Sequence, residues 1–373
     1  MFNKKVLSIL LIMLLNMTFL VGCSIEIKDM VHKSNELNIK LLLPGTLEDN
    51  SINDLASTGV NKIKNEFGDR VNIEVIEMGF DETKFESLLL DTVKSDADII
   101  ITGQLSMKKH IEYIAQLYPN KKFLLYDTEV DYYKYDLENV YSITYKQNEA
   151  GFLSGVLAAL ITKSDMEFAN EESSIGFIGA TKESEIINDF LVGYIEGAKF
   201  IDKDIKVNID YADSFTDIQR VKELTLNQYL NGVDIVFTAA GLASKGSIEA
   251  ALDSKKYVIG VDRDQALVYE GREEQKHIVS SVLKRVDNSI ALVMESFFKN
   301  SLQINNNINL GINEGVIELA ENDIYTSTVN EDIRNKVSEI TKELKCGKIK
   351  IKSVLDMDEY ELNKLINSVN FIK

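Results

Sequence analysis

The sequence predicts a doubly wound α/β fold built as two similar lobes. Three observations carry this. Short apolar runs rich in Ile and Val recur, amphipathic stretches of helical period separate them, and the pattern occurs twice in succession. Continuous apolar strands are what a parallel sheet covered on both faces requires, and strand–helix alternation builds such a sheet.

The first series of runs is IKLLLP (39–44), NIEVIEM (72–78), DIIITG (98–103), KFLLYD (122–127) and VYSIT (140–144). The second is IGFIG (175–179), KVNIDY (206–211), VDIVFT (233–238) and YVIGVD (257–262). Between them, Phe85, Leu88, Leu89 and Val93 share one helical face, as do Ile111, Ile114, Ala115 and Tyr118. Ile186, Phe190, Tyr194 and Ala198 repeat every four residues. The boundary between lobes falls near Thr144 to Glu149 with no long linker, and NEAGFLSGVLAALI (148–161) reads as a helix opening the second lobe, with Gly151 and Gly155 permitting close packing. Further on, SSVLKRVDNSIALVMESFFK (280–299) contains a helix from about Arg285, and GVIELA (315–320) is another strand. NEDIRNKVSEITKELKCG (330–347) is a terminal helix stopped at Gly347. The expected plan puts residues 37–145 plus about 265–300 in lobe 1, 146–264 plus about 301–325 in lobe 2, and a helical tail over 326–373. The chain would then cross between lobes three times. Two lobes with little spacer enclose a cleft, and clefts between domains are common ligand sites.

The N-terminus reads as a targeting segment. Lys4 and Lys5 precede an uncharged, mostly apolar run of sixteen residues, Val6 to Val21. That is short for a membrane-spanning helix, which needs about 20 apolar residues, and suits the core of a secretory signal. Gly22 and Cys23 follow in an order that resembles a bacterial lipobox, in which the cysteine thiol receives a diacylglycerol and becomes the new N-terminus. Residues 1–22 are therefore expected to be a lipoprotein signal, Cys23 the lipidation site, and 23–36 a tether to the outer face of the cell membrane. The lipid bilayer is the partner this implies.

About 350 residues remain beyond that signal, enough for two lobes with real cores. The net charge of −18 becomes −20 once Lys4 and Lys5 are gone. Nucleic-acid partners need basic stripes and are disfavoured. Cys346 is the other cysteine, so with Cys23 lipidated no intrachain disulfide forms. His32, His110 and His277 are scattered without metal-ligand spacing. The chain lacks a G-x-S-x-G elbow, an H-E-x-x-H helix and a P-loop. No enzyme, metal or cofactor is expected.

Polar residues gather instead at the C-terminal ends of strands, where ligands bind in open α/β sheets. Asp127 ends KFLLYD and Asp262 follows YVIGV. The stretch PGTLEDNSIND (44–54) packs Asp49, Asn50, Ser51 and Asn53 into one loop, and DSFTD (213–217) sets Phe215 among polar groups. GLASKGS (241–247) follows a strand and reads either as a plain turn or as the start of a helix whose amides face the cleft. Each residue alone has an ordinary reading as a turn or cap. Together they supply carboxylates, amides and an aromatic face, the makeup of a small polar-ligand site.

At this point a resemblance becomes specific. DNSIN (49–53) is similar to the D-x-S-F-N motif of the basic membrane protein family, the substrate-binding lipoproteins that include purine nucleoside receptors of ABC importers. ENVYSITYKQNEAGFLSGVLAA (138–159), IGFIGA (175–180), FLVGYIEGAK (190–199), DSFTD, DIVFTAAG (234–241), GVDRDQ (260–265) and SSVLKRVD (280–287) follow in the family's order. The likeness runs from about residue 38 to 320. It implies a type I periplasmic-binding-protein fold, closing like a hinge on a ligand that it passes to an ABC permease. It also implies roles: Phe215 stacking on a base, Asn53 and Asp127 bonding its edge, Asp262 and Lys284 holding a ribose. Asp49, Ile52 and Gly241 complete the expected lining. There are departures. Ile52 stands where the family has a stacking Phe, Ala180 replaces a second Gly, and TKESEI (181–186) lacks the family's proline. The leading expectation is a transport receptor for a nucleoside-like molecule. The alternative is a regulatory or sensory surface lipoprotein on the same fold, toward which Ile52 is one step.

Overall fold

A computed structural model describes residues 36–48, 50–302 and 306–369. In the first lobe β1 (Leu37–Leu43) leads into α1 (Ile52–Phe67), then β2 (Val71–Glu77), α2 (Phe85–Lys94), β3 (Ile99–Gly103), α3 (Leu105–Leu117), β4 (Lys122–Tyr126) and β5 (Val140–Tyr145). The chain crosses over into α4 (Gln147–Thr162), β6 (Ser174–Gly179), α5 (Glu185–Ile201), β7 (Lys206–Tyr211), α6 (Ile218–Leu230), β8 (Ile235–Ala239), α7 (Lys245–Ser254), β9 (Tyr257–Asp262), the short α8 (Gln265–Val268) and β10 (Ile278–Lys284). It then returns as α9 (Val286–Phe298) and β11 (Asn306–Leu310), and ends with β12 (Ile317–Leu319), α10 (Asp323–Thr328), α11 (Glu331–Lys345) and α12 (Glu359–Asn367).

The strands form two six-stranded sheets, ordered β2-β1-β3-β4-β5-β11 and β7-β6-β8-β9-β10-β12. Every neighbouring pair is parallel except β10 with β12. The first five strands of each sheet thus follow one order, 2-1-3-4-5, and each has its topological switch point beside its first strand. Strands β3, β6 and β8 are buried along their whole length, as continuous apolar runs require. In the first lobe one face of the sheet is covered by α2 and α3, through Phe85, Leu89, Val93, Met107, Ile111 and Ile114. These two doubly wound lobes make up a type I periplasmic-binding-protein fold, as the sequence led us to expect.

Helices α4 and α5 pack more closely than any other pair. A Cβ placed on Gly151 or Gly155 would lie 2.1 Å from the carbonyl oxygen of Phe190 or Tyr194. One on Gly193 or Gly197 would lie 2.1 or 2.0 Å from that of Asn148 or Phe152. Backbone meets backbone there, which only glycine allows.

The lobe assignment of the later segments needs correction. Residues 278–284, expected in lobe 1, form β10 and pair with β9 of the second sheet. Residues 306–310, expected in lobe 2, form β11 and pair with β5 of the first. The reason is composition. Ser280 and Ser281 interrupt the apolar run of β10, and three asparagines mask β11. The segment after 326 is helical, with α11 and α12 in it, and it packs on the lobes. Ile333, Val337, Ile340 and Leu344 of α11 are buried in the main core. The crossings run through 145–147, 284–286 and 310–317 and are bonded to one another. Lys146 N donates to Leu310 O (2.9 Å), Arg285 N to Val316 O (2.8 Å), and Ile312 N to Glu149 Oε2 (2.8 Å).

Candidate functional site

The sheets present the C-terminal ends of their strands to one crevice, and the backbone there is unusual. Gln104 follows β3, Asp127 follows β4 and Asp262 ends β9, at φ of 68°, 61° and 68°. Glu48 (65°), Asn50 (56°), Asp213 (55°) and Gly241 (54°) lie in loops at the same ends. Left-handed conformations cost a residue with a side chain on the order of 1–3 kcal/mol each and gather at functional sites. Asn and Asp tolerate them best.

From the first lobe, Ser51, Ile52 and Asn53 stand at the start of α1. The stretch from 44 to 54 is therefore not all loop: the helix begins at Ile52, and Asn53 lies in its first turn, buried. Asn53 Oδ1 accepts from Gln104 Nε2 at 3.0 Å, which bridges the β1/β3 switch point. Ile52 is half-buried against the core. Asp49, like Cys23, lies outside the described residues.

The second lobe supplies Asp262, Lys284, Gly241 and Phe215. Ser51 Oγ donates to Asp262 Oδ2 at 2.5 Å, directly across the lobes. The Lys284 ammonium donates to Asp127 Oδ1, also across the lobes, and both side chains are nearly closed off from solvent. Burial pushes the Asp127 carboxyl above its ordinary range, Lys284 beside it pulls it back, and the Asp262 charge adds a small upward push. The Lys284 ammonium also lies 5.0 Å from the centre of the Tyr145 ring, a cation–π contact. Phe215 is 48% exposed, its carbonyl held by Ala243 N at 2.9 Å. Gly241 opens a short 3-10 turn that runs on into α7, so GLASKGS does start a helix. A cavity of about 10 Å³ remains, room for about one water, lined by Asn50, Thr238, Gly241, Lys245, Gly260 and Gln265 among others.

The residues singled out from the sequence thus divide. Asn53, Asp127, Asp262 and Lys284 converge with their polar atoms engaged, Gly241 lines the cavity, and Phe215 sits half-open beside Gly241. Gln104, Arg263 and Gln265 were not singled out. Arg263 Nη1 donates to Asp54 Oδ2 (3.1 Å) and Gln265 Nε2 to Asn50 O (3.3 Å), both across the lobes. Only the GVDRDQ stretch, with a lone arginine beside Asp262, carried a signal for them.

Two α/β lobes closing on a polar crevice define the class of binding proteins, and comparison with known proteins narrows it. Residues 36–350 match the model of a family described as ABC transporter substrate-binding protein PnrA-like. Basic membrane protein A of Borreliella burgdorferi is 30% identical over 308 residues, 81% of this chain and 85% of that protein. The CD4+ T-cell-stimulating antigen of Listeria monocytogenes is 27% identical over 82% of this chain and 85% of its own. Among solved structures, an ABC transporter solute-binding protein from Aeropyrum pernix superposes with a TM-score of 0.76 at 21% identity, covering 89% of this chain and 97% of its own. A transcriptional activator of the comK gene from Bacillus halodurans superposes with a TM-score of 0.67, also at 21% identity, over 82% and 96%. The chain belongs to the PnrA-like, basic membrane protein family of ABC transporter substrate-binding proteins. Such proteins work outside the cytoplasm, bind a small molecule and meet an ABC permease; the family is not an enzyme class.

Proposed function

We propose that this chain is a lipid-anchored receptor that captures a purine nucleoside and presents it to its permease. One observation carries the reading: carboxylates, an amide, an ammonium and an aromatic face from both lobes meet at one crevice. Asp262 accepts ribose hydroxyls, since a carboxylate accepts from two donors at once. Lys284 donates to a ribose oxygen. Asn53 and Asp127 read the base edge, and Phe215 covers one face of the ring, stacking worth about 1–3 kcal/mol. The Ser51–Asp262 and Asp127–Lys284 bonds exchange for bonds to the ligand as the lobes part and close again.

Ile52 gives apolar contact without a ring. Ile52→Phe should tighten binding of guanosine, inosine or adenosine several-fold, because an aromatic pair adds about 0.5–1.5 kcal/mol beyond area burial. Calorimetric titration of both proteins against the three nucleosides checks this. No detectable binding by either one sinks the nucleoside assignment.

A second reading, a regulatory or sensory surface lipoprotein, is favoured by the closed crevice, whose cavity is about 10 Å³. It expects the same titrations to be silent.

The anchor is Cys23. Among the described residues no helix is long and apolar enough to cross a membrane, and a diacylglycerol supplies the two chains that hold a protein firmly. Cys23→Ser should leave the protein unprocessed or released into the medium. A cleaved Ser variant that still fractionates with membranes overturns the assignment.

A further inference from the structure

Asp54 sits in the first turn of α1, and its carboxylate takes donors from both lobes. Its Oδ1 accepts Glu48 N at 2.8 Å, and its Oδ2 accepts Asn50 N at 3.0 Å. Both donors belong to residues at positive φ, so this carboxylate fixes the strained loop that leads to Ser51, Ile52 and Asn53. A further donor comes from the other lobe: Arg263 Nη1 reaches Oδ2 at 3.1 Å. Beside it Gln265 Nε2 meets Asn50 O at 3.3 Å, and Ser51 Oγ meets Asp262 Oδ2 at 2.5 Å. Three residues between 262 and 265 thereby grip three between 50 and 54, at the edge of the cavity that Asn50 and Gln265 line.

We propose that the Arg263–Asp54 pair is a clasp across the cleft that sets how long a captured ligand stays, with Arg263 acting as a positioning residue. The proposal rests on the cleft being the ligand site, not on which molecule fills it. The pair is built for that task. Its side chains are 35% and 17% exposed, so it is partly sheltered yet within reach of water and salt. Opening the lobes separates Arg263 from Asp54 and leaves the two backbone bonds of Asp54 intact, so the loop keeps its shape while the clasp is undone. A contact made only in the closed form slows release more than it speeds capture.

The test uses full-length protein with Arg263→Gln and Arg263→Lys, read by stopped-flow with guanosine, inosine and adenosine. The Gln variant should release nucleoside about three- to tenfold faster, with association within about twofold of wild type. The Lys variant should fall between them, since it keeps the charge and loses the planar fork. Raising ionic strength from about 0.05 to about 0.5 M should speed release from wild type more than from the Gln variant. Equal release rates overturn the clasp. Where wild type binds none of the three, the nucleoside assignment fails and small-angle X-ray scattering without ligand decides. A larger radius of gyration for Arg263→Gln supports the clasp, and identical profiles overturn it. If the Gln variant does not fold, the Lys variant carries the same comparisons.

Discussion

Replacing Lys284 with Met should cost the fold about 3–5 kcal/mol near neutral pH, because it leaves a buried carboxylate without its cation. Asp127 is 8% exposed and its Oδ1 is bonded to the Lys284 ammonium. The loss should depend on pH in a definite direction. Without Lys284, burial is the dominant influence on Asp127 and holds its folded pKa above the unfolded value of about 3.9. The folded state then binds that proton more tightly than the unfolded state does. The penalty is therefore absent well below the unfolded value, grows as pH rises between the two values, and is complete above the folded one. Urea denaturation of variant and wild type at about pH 7 and about pH 4.5 measures the difference, the acid gap being the smaller. Adding Asp127→Asn, which suits the left-handed backbone there, should recover more than half of the loss at neutral pH. Equal losses at both pH values would mean that the carboxyl is not buried in solution.

Gly197→Ala should be almost as damaging by a different route. The new methyl group would stand 2.0 Å from Phe152 O, and the obstacle is main chain, which cannot swing aside as a side chain can. Helices α4 and α5 would have to separate, opening contacts along their length. Overpacking typically costs about 1–3 kcal/mol, and a backbone obstacle puts this substitution at or above the upper figure. Thermal unfolding should show a clear fall in Tm. A change below about 0.5 kcal/mol would place the helices further apart than described here.

These two sites also mark what a single sequence discloses. Gly151 and Gly155 stood out because two glycines four residues apart in an apolar helix have few other uses. Their counterparts Gly193 and Gly197 lie in a stretch quoted for its family likeness, and the mutual fit needed coordinates. Strands of unbroken Ile, Leu and Val were plain. β10 was not, because the hydroxyls of Ser280 and Ser281 bond backbone groups, to Ala320 O and from Gln265 N, and so lie buried while reading as polar. β11 was hidden by its asparagines, which an edge strand facing solvent tolerates. Asp127 and Asp262 were visible as carboxylates where apolar runs stop. Gln104 and Arg263 were not, since the partner of each lies far away in sequence, Asn53 and Asp54, and no local pattern encodes such a meeting.

The outermost strands carry a further consequence. A parallel sheet ends in a row of unpaired amides and carbonyls that can recruit a strand from another molecule. Each of the four margins here is blunted in its own way. β2 points Asn72, Glu74 and Glu77 into solvent, so a second copy would bring like charges together. β11 offers Asn306 and Asn309 in place of apolar side chains. β12 is three residues long and runs antiparallel to its neighbour, too brief a template for an intruder. β7 is capped by the segment that follows α12, where Val369 O takes the Val207 N–H at 3.1 Å. None of these margins is a long, flat, apolar edge, so none is a ready template on which a strand from another molecule could be added.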